Sequence, residues 1–143
     1  MSEHFRRLER MYASAPINTF FAPTLHIPEA GVAELHLTIR PDFHHAAGAA
    51  HGAVYFKALD DATFFAANSI VEDTFVLTIS FNLYLTRPVK EGEVVAHGRV
   101  VFRSKRLYLA DGVIEDDRGR EIARGSGAFM PSNIPLDSRI GYR

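Results

Sequence analysis

The sequence predicts an α+β domain in which an antiparallel sheet covers one buried helix. A long, mostly apolar segment of helical length runs from about residue 52 to residue 69. One alternating segment, 32–39, precedes it, and four strand-like segments separated by turn residues follow it. A helix that is apolar on nearly all sides needs cover on most of them, so the strands are expected to surround it.

The N-terminal part predicts one helix and an irregular connector. Apolar residues at helical spacing predict a short N-terminal helix over residues 1–13. Pro16, Pro23 and Pro28 then interrupt the chain and predict a connector without regular structure. Regular structure is expected to resume with the strand at 32–39.

The C-terminal half predicts four strands, at 76–86, 93–103, 106–116 and 120–130. One face of the first of them is expected to carry the apolar side chains Leu77, Ile79, Phe81, Leu83 and Leu85. Residues 131–143 are expected to form a C-terminal tail. Because 143 residues suffice for one hydrophobic core, a single domain spanning 1–143 is expected.

Composition and charge narrow the function classes. The formal net charge is −1, which predicts no electrostatic attraction to nucleic acid or to an anionic membrane. The apolar runs are too short to span a bilayer, and the N-terminal residues lack the apolar stretch of a signal peptide. The absence of cysteine excludes disulfides, a cysteine nucleophile and thiolate metal ligands. A cytoplasmic location is expected.

The segment from His45 to Ser69 joins a histidine-bearing loop of small residues to a helix with two carboxylates. The step His51-Gly52 at the expected helix start presents free backbone N–H groups and the positive end of the helix dipole. Such a terminus can stabilise a developing oxyanion. Asp60 and Asp61 follow about two turns later. A polarising helix terminus and a carboxylate are the groups that hydrolysis of a thioester or ester requires.

This segment resembles the active-site segment of hotdog-fold acyl-CoA thioesterases of the phenylacetate-degradation type, within the 4-hydroxybenzoyl-CoA thioesterase superfamily. That pattern reads roughly Asn-x-x-Gly-x-x-His-Gly-Gly, with an Asp nine residues after the His. The matching residues are Gly48, His51, Gly52 and Asp60. Two positions depart from the pattern, because Ala53 replaces the second Gly and His45 stands where Asn or Gln is usual. A weaker resemblance continues to Met130.

The resemblance implies a hotdog fold, in which a curved antiparallel sheet wraps around one central helix. It also implies hydrolysis of acyl-CoA thioesters, with coenzyme A as part of the substrate and no other cofactor. The N–H of Gly52, with that of Ala53 as a second candidate, would polarise the thioester carbonyl. Asp60 would act as general base or as nucleophile, and the residues leave these two routes open. Related enzymes build their sites across a homodimer, often doubled to a tetramer, so a homo-oligomer is expected.

Helix geometry distinguishes the two carboxylates, which project about 100° apart. Asp61 lies one turn from Lys57, which can act as its polar partner. Asp60 lies on a more apolar side of the helix, with Phe56 and Phe64. Desolvation there would raise the pKa of Asp60 toward the range useful for a general base. The alternative is that both aspartates lie on an exposed helix edge. Position and resemblance together favour Asp60 as the catalytic residue.

The three histidines of this segment allow several interpretations. His51 is a candidate catalytic residue beside the thioester, or a loop residue that fixes the helix start by hydrogen bonding. His45 is a candidate for orienting water or the carbonyl, since imidazole both donates and accepts hydrogen bonds. A zinc site formed by His44, His45 and His51 is disfavoured, because the spacing is not that of a helical zinc motif. No metal is expected.

Several further residues are candidates for substrate binding. Thr63 and Phe64 lie one turn after Asp60, and Phe64 is the best candidate for lining an acyl tunnel. Arg87, at the end of a strand, is a candidate contact for coenzyme A. A basic turn with the same candidate role comprises Arg103, Lys105 and Arg106. The alternative for this turn is a solvated hairpin that protects a sheet edge. Asn68 and Ser69 are expected to cap the helix.

Two rival functions remain open at this point. One is a hotdog dehydratase or hydratase. Against it, the sequence has no His placed before a helical Glu in the arrangement that those enzymes need. The other is a non-catalytic module that binds or senses acyl-CoA on the same scaffold. The acyl group and its carrier, coenzyme A or an acyl-carrier protein, are not specified by the residues.

Overall fold

The computed structural model describes residues 2–143 and contains one six-stranded antiparallel sheet with a long helix packed against it. The helices are α1 (Ser2–Ser14), α2 (Asn18–Phe21) and α3 (Gly52–Asn68). The strands are β1 (Thr24–Glu29), β2 (Val32–Ile39), β3 (Thr74–Leu85), β4 (Gly92–Arg103), β5 (Tyr108–Glu115) and β6 (Glu121–Pro135). The strand order across the sheet is β1-β2-β4-β5-β6-β3. This is the hotdog fold that the resemblance implies, and the antiparallel sheet over one buried helix is the α+β arrangement that the pattern predicts.

The helix α3 lies close to the sheet because glycines stand beneath it. Gly98 of β4 and Gly112 of β5 are directly opposite one another in the ladder. A Cβ on Gly98 would lie 2.4 Å from the carbonyl oxygen of Ala62 in α3, and one on Gly112 would lie 3.0 Å from the side chain of Leu59. Any larger residue at Gly98 would therefore push α3 away from the sheet.

The end of α3 is fixed by the two residues that the sequence predicts as caps. The buried Asn68 amide donates to the carbonyl oxygens of Val71 and Thr74, and its oxygen accepts from the N–H of Val76. The Ser69 hydroxyl donates to the carbonyl of Ala66 at 2.6 Å. Asn68 thereby fastens the end of α3 to the start of β3.

Strand β3 lies at one edge of the sheet, and its two halves present different residues to α3. Its register against β6 shifts between Thr78 and Ser80, so that Ile79 forms a bulge. Thr78 is paired with the fully buried Phe129, and it therefore faces α3. The expected single apolar face is wrong for the first half of the strand, where Leu77 and Ile79 are exposed.

The other differences from the sequence prediction lie at the two ends of the chain. The expected irregular connector contains the short helix α2 and the strand β1, which pairs with β2. Pro28 is tolerated in β1 because β1 is the other edge strand of the sheet. At the C-terminus, β6 continues to Pro135, five residues into the expected tail.

Helix α1 forms where the sequence predicts a helix; it packs against α3, and its inward side chains are buried. Tyr12 of α1 meets Phe65 of α3 edge to face, with ring centroids 5.0 Å apart. Among the helices of residues 2–143, none is both long and apolar enough to cross a lipid bilayer.

Candidate active site

Two separate pockets open along α3, one at its N-terminus and one beside its middle. The first, of about 270 Å³, is lined by the loop before α3 and by the end of β3, and it includes His45, Gly52 and Arg87. The second, of about 590 Å³, lies between α1, α3 and the C-terminal segment (residues 136–143). It includes Asp60 and Phe64. The candidate residues are thus divided between two sites.

His51 caps the N-terminus of α3. Its backbone is extended, and its Nδ1 accepts from the N–H of Ala53 at 2.9 Å. Because Nδ1 is an acceptor, the ring proton of neutral His51 is on Nε2, the atom that remains as a donor. The hydrogen-bonding alternative for His51 is therefore realised, and its free Nε2–H still lies next to the helix start.

The same contact corrects one expectation about the oxyanion site. Ala53 cannot offer its N–H to a substrate while His51 accepts from it. The carbonyl of His51 accepts from the N–H of Val54, at 2.9 Å. Within residues 2–143 the Gly52 N–H has no such acceptor, which leaves it as the available donor of the first turn.

His45 and His44 hold the loop that precedes the helix. The Nδ1 of His45 accepts from the N–H of Ala47 at 3.0 Å, so its Nε2 is the atom that faces outward. The Nε2 of His44 donates to the carbonyl of Lys90 at 2.8 Å. In the part of the chain that the structure describes, no group of three histidine or acidic side chains is arranged to hold a metal ion.

Asp60 faces the larger cavity and has one hydrogen-bond donor, the Thr78 hydroxyl, at 2.9 Å from its Oδ1. Burial raises the pKa of Asp60 to about 6, although the Thr78 hydrogen bond opposes this effect. The negative charge of Asp61 raises the same pKa and the positive charge of Lys57 lowers it. A carboxylate with this pKa is mostly ionised at neutral pH and is more basic than an ordinary aspartate.

Asp61 differs from its neighbour because two side chains hold it. Its Oδ2 accepts from the Tyr12 hydroxyl and from the Lys57 ammonium, each at 2.5 Å. Burial raises the pKa of Asp61, and Lys57 opposes the rise. Asp61 is therefore a paired charge, and neither aspartate lies on an exposed helix edge.

Thr63, a candidate for substrate binding, does not line the cavity. Its side chain is fully buried against the sheet, and its hydroxyl donates to the carbonyls of Leu59 and Asp60 at 2.8 and 3.1 Å. Thr78 supplies the hydroxyl at Asp60 instead. The strand pattern gave no sign of this, because the bulge that turns Thr78 inward depends on pairing with β6.

Phe64 lies in the cavity wall, as the tunnel prediction expects. Its ring packs against Phe65, Phe75 and Phe129, with centroids 4.9 to 6.0 Å away. The inner wall of the cavity near Asp60 is therefore largely aromatic.

The candidate cations lie in different places. Arg87 lies in the pocket of Gly52. The basic turn of Arg103, Lys105 and Arg106 joins β4 to β5 at the end of the sheet opposite to the Gly52 pocket. It lines neither pocket on α3. Two further cations, Arg139 and Arg143, line the cavity of Asp60 and are not among the candidates that the sequence pattern indicates.

The C-terminal segment forms one wall of that cavity and is fastened to α1. The Tyr142 hydroxyl lies 2.7 Å from Nδ1 of the buried His4, whose Nε2 donates to the carbonyl of Asn68 at 2.9 Å. A Cβ on Gly141 would lie 2.3 Å from the Ser14 hydroxyl, so this segment packs tightly on α1.

A hotdog fold whose central helix begins with a free N–H donor and carries a basic carboxylate defines a hydrolase of the thioesterase type. Comparison with known families agrees: the model of the thioesterase superfamily matches residues 47–123, more than half of the chain. The chain therefore belongs to the thioesterase superfamily, and its general chemistry is thioester hydrolysis.

Individual relatives are more distant. A Saccharolobus solfataricus protein provisionally named an esterase is 26% identical over 102 residues, which are 71% of this chain and 68% of that protein. The PaaI protein of the E. coli phenylacetic acid degradation operon superposes with a TM-score of 0.85 at 16% identity, covering 94% of this chain and 96% of its own. A thioesterase family protein from Silicibacter pomeroyi has a TM-score of 0.81 at 23% identity, covering 89% and 96%. These two likenesses establish the fold.

Proposed function

We propose that this protein hydrolyses acyl-CoA thioesters to the free acid and coenzyme A, at a site shared by two copies of the chain. The observation that carries the proposal is the separation of Gly52 and Asp60 on one helix. Eight residues at a rise of 1.5 Å place them about 12 Å apart along α3. A carbonyl oxygen bonded to the Gly52 N–H lies about 3 Å from it, so the carbonyl carbon is out of reach of Asp60 in the same chain.

The free edge of β3 offers a way to bring the two groups together. This edge strand is 12 residues long, and its exposed apolar side chains include Leu77, Ile79 and Leu85. Long apolar edges of this kind favour pairing with another strand. The exposed Phe56 of α3 meets Phe81 of β3 edge to face, which extends the apolar surface toward the helix. We infer that a second copy covers this edge.

The contacts of β3 also suggest a register for that pairing. Leu85 approaches Gly52, because a Cβ on Gly52 would lie 3.1 Å from the Leu85 Cδ1. Thr78 binds Asp60. An antiparallel pair of β3 strands with Thr78 opposite Leu85 would therefore bring Gly52 of one copy toward Asp60 of the other. Because Ile79 is bulged, Phe81 of one copy then lies opposite Leu83 of the other on the same face, and the two-fold axis of this arrangement passes at Asn82.

The chemistry then follows from the properties of the two groups. The Gly52 N–H, at the positive end of α3, polarises the thioester carbonyl. In the general-base route, Asp60 takes a proton from water while the water oxygen bonds to the carbonyl carbon, and the thiolate leaves and is protonated. In the nucleophilic route, the Asp60 oxygen displaces the thiolate to give a mixed anhydride, which water hydrolyses. Both routes need the ionised form of Asp60.

The surroundings of the two groups suggest how the substrate lies. The cavity beside Asp60 has the volume of an ordinary ligand pocket and an aromatic inner wall, so we assign the acyl group to it. Arg87 lies beside Gly52 and is assigned to a phosphate of coenzyme A, for which guanidinium groups are well suited. The basic turn of Arg103, Lys105 and Arg106 lies outside both pockets of its own chain. We therefore assign it to the nucleotide of the substrate that the second copy binds.

The decisive experiment measures thiol release from a panel of aromatic and aliphatic acyl-CoA esters with wild type and Asp60→Asn. Asp117→Asn, an exposed aspartate outside both pockets, is the matched control for the same change of charge. Turnover that is lost in Asp60→Asn and kept in Asp117→Asn supports the proposal. Full turnover by Asp60→Asn would reject both routes. Saturable binding without turnover by wild type would favour the binding module.

A further inference from the structure

The cavity of Asp60 contains a second carboxylate that the proposed reaction does not use. Asp61 is the next residue in α3, and its Oδ2 is held by the Tyr12 hydroxyl and the Lys57 ammonium, each at 2.5 Å. All three side chains of this Tyr12–Asp61–Lys57 cluster line the cavity. The Lys57 side chain is only 12% exposed and that of Asp61 only 16%.

A contribution to folding stability does not explain why this cluster is charged. A buried ion pair loses the hydration of two charges, and replacing it by apolar residues is often neutral or stabilising. The Lys57 ammonium also lies 5.1 Å from the ring centroid of Tyr12 and 5.3 Å from that of Phe21, so its position is fixed from several sides. A cation held so firmly within one helical turn of Asp60 acts on the charge of that residue.

We propose that the Tyr12–Asp61–Lys57 cluster is a positioning element for Asp60, in which the Tyr12 hydroxyl and the Lys57 ammonium both hold Oδ2 of Asp61, so that a fixed pair of opposite charges beside Asp60 tunes its proton exchange. This inference rests on the proposed function. Lys57 and Asp61 are positioning residues here, because each acts through its effect on Asp60.

The charges around Asp60 fix the direction of each effect. Asp61 and Lys57 act from its own helix, Thr78 donates from β3, Tyr12 approaches from α1 behind Asp61, and Arg139 and Arg143 line the same cavity from the C-terminal segment. The Asp61 charge raises the pKa of Asp60, and the Lys57 charge lowers it. Removing one charge therefore moves the ionisation of Asp60 in the direction opposite to removing the other.

The test is the pH dependence of kcat/KM for Asp61→Asn and Lys57→Met. The acid limb of this profile is the range in which kcat/KM falls as the pH decreases, because Asp60 becomes protonated. Asp61→Asn, which keeps the shape of the side chain, is expected to move this limb about one unit to lower pH. Lys57→Met is expected to move it to higher pH and to broaden it, because two coupled carboxylates then share the titration. Lys57→Arg retains the charge and is expected to restore the wild-type limb.

The outcomes separate this inference from the proposed function. A cluster that only supports the fold would lower kcat or thermal stability in both variants and leave the acid limb in place, which would overturn the inference. Shifts of both variants in the same direction would overturn it as well. If Asp60→Asn retains turnover, the proposed function fails first. If Asp60→Asn is inactive and the limbs do not move, only the inference fails.

Discussion

Gly52→Pro removes the backbone N–H that we assign to the oxyanion site and is expected to preserve the helix. Gly52 is the first residue of α3, the position where proline is favoured in helices. His51 before it has φ −63° and ψ 147°, the extended conformation that a following proline requires. The added ring meets the flexible end of the Leu85 side chain. The helix should therefore form, without the N–H that we assign to the carbonyl oxygen.

The expected loss follows from the role of this donor. Removing one oxyanion donor lowers kcat by about 10²–10³-fold, or about 2.7–4 kcal/mol in the transition state. Gly52→Ala is the matched control, because it adds a side-chain carbon at the same place and keeps the N–H. We expect Gly52→Ala to stay within about tenfold of wild type, since one methyl group has to displace only the end of Leu85.

Mixing two inactive variants tests whether the site is shared. A heterodimer of Gly52→Pro with Asp60→Asn has one site in which both groups are intact and one in which both are lost. Random exchange makes half of the dimers heterodimers, so about one quarter of wild-type activity should return. Thiol release is measured after unfolding and refolding the mixture, with each variant refolded alone as the control. Failure of the mixture to recover activity, with dimers present, would refute the shared site.

Three further predictions concern the same helix. Thr78→Val should move the acid limb of kcat/KM up by about one pH unit, because a hydrogen bond to a charged group contributes about 1.5–3 kcal/mol and Asp60 is only partly buried. Thr78→Ser keeps the hydroxyl and should leave the limb in place. An unmoved limb in Thr78→Val would contradict the contact. Since folding raises the pKa of Asp60 to about 6, its contribution to stability is present in acid and lost as pH rises through 6, so Asp60→Asn should stabilise the fold at pH 8 by about 1–2 kcal/mol in urea unfolding and by less at pH 4. His51→Ala should cost about 1 kcal/mol by the same measurement through loss of the cap on Ala53, whereas His51→Asn should retain most of it, and equal losses would argue against the cap.

The sequence alone determined the elements whose signals are local. The apolar helix, its caps at Asn68 and Ser69, and the strands after it follow from periodicity and turn residues, because these patterns report on neighbours a few residues apart. The choice of Asp60 over Asp61 rests on helix geometry together with the resemblance. The structure confirms the Lys57 partner of Asp61, but Asp61 is more deeply buried than Asp60, so the lack of an ion-pair partner within residues 2–143, and not deeper burial, distinguishes Asp60.

Tertiary structure alone decided what depends on distant partners. The bulge at Ile79 arises from pairing with β6, and it turns Thr78 toward Asp60 as a donor that the strand pattern does not indicate. The wall formed by residues 136–143 depends on Tyr142 reaching His4, at the opposite end of the sequence. The spacing of Gly52 and Asp60 was visible in the sequence from the start. That the two residues line different pockets is decided by how the sheet folds around the helix, because burial and register are properties of the whole chain.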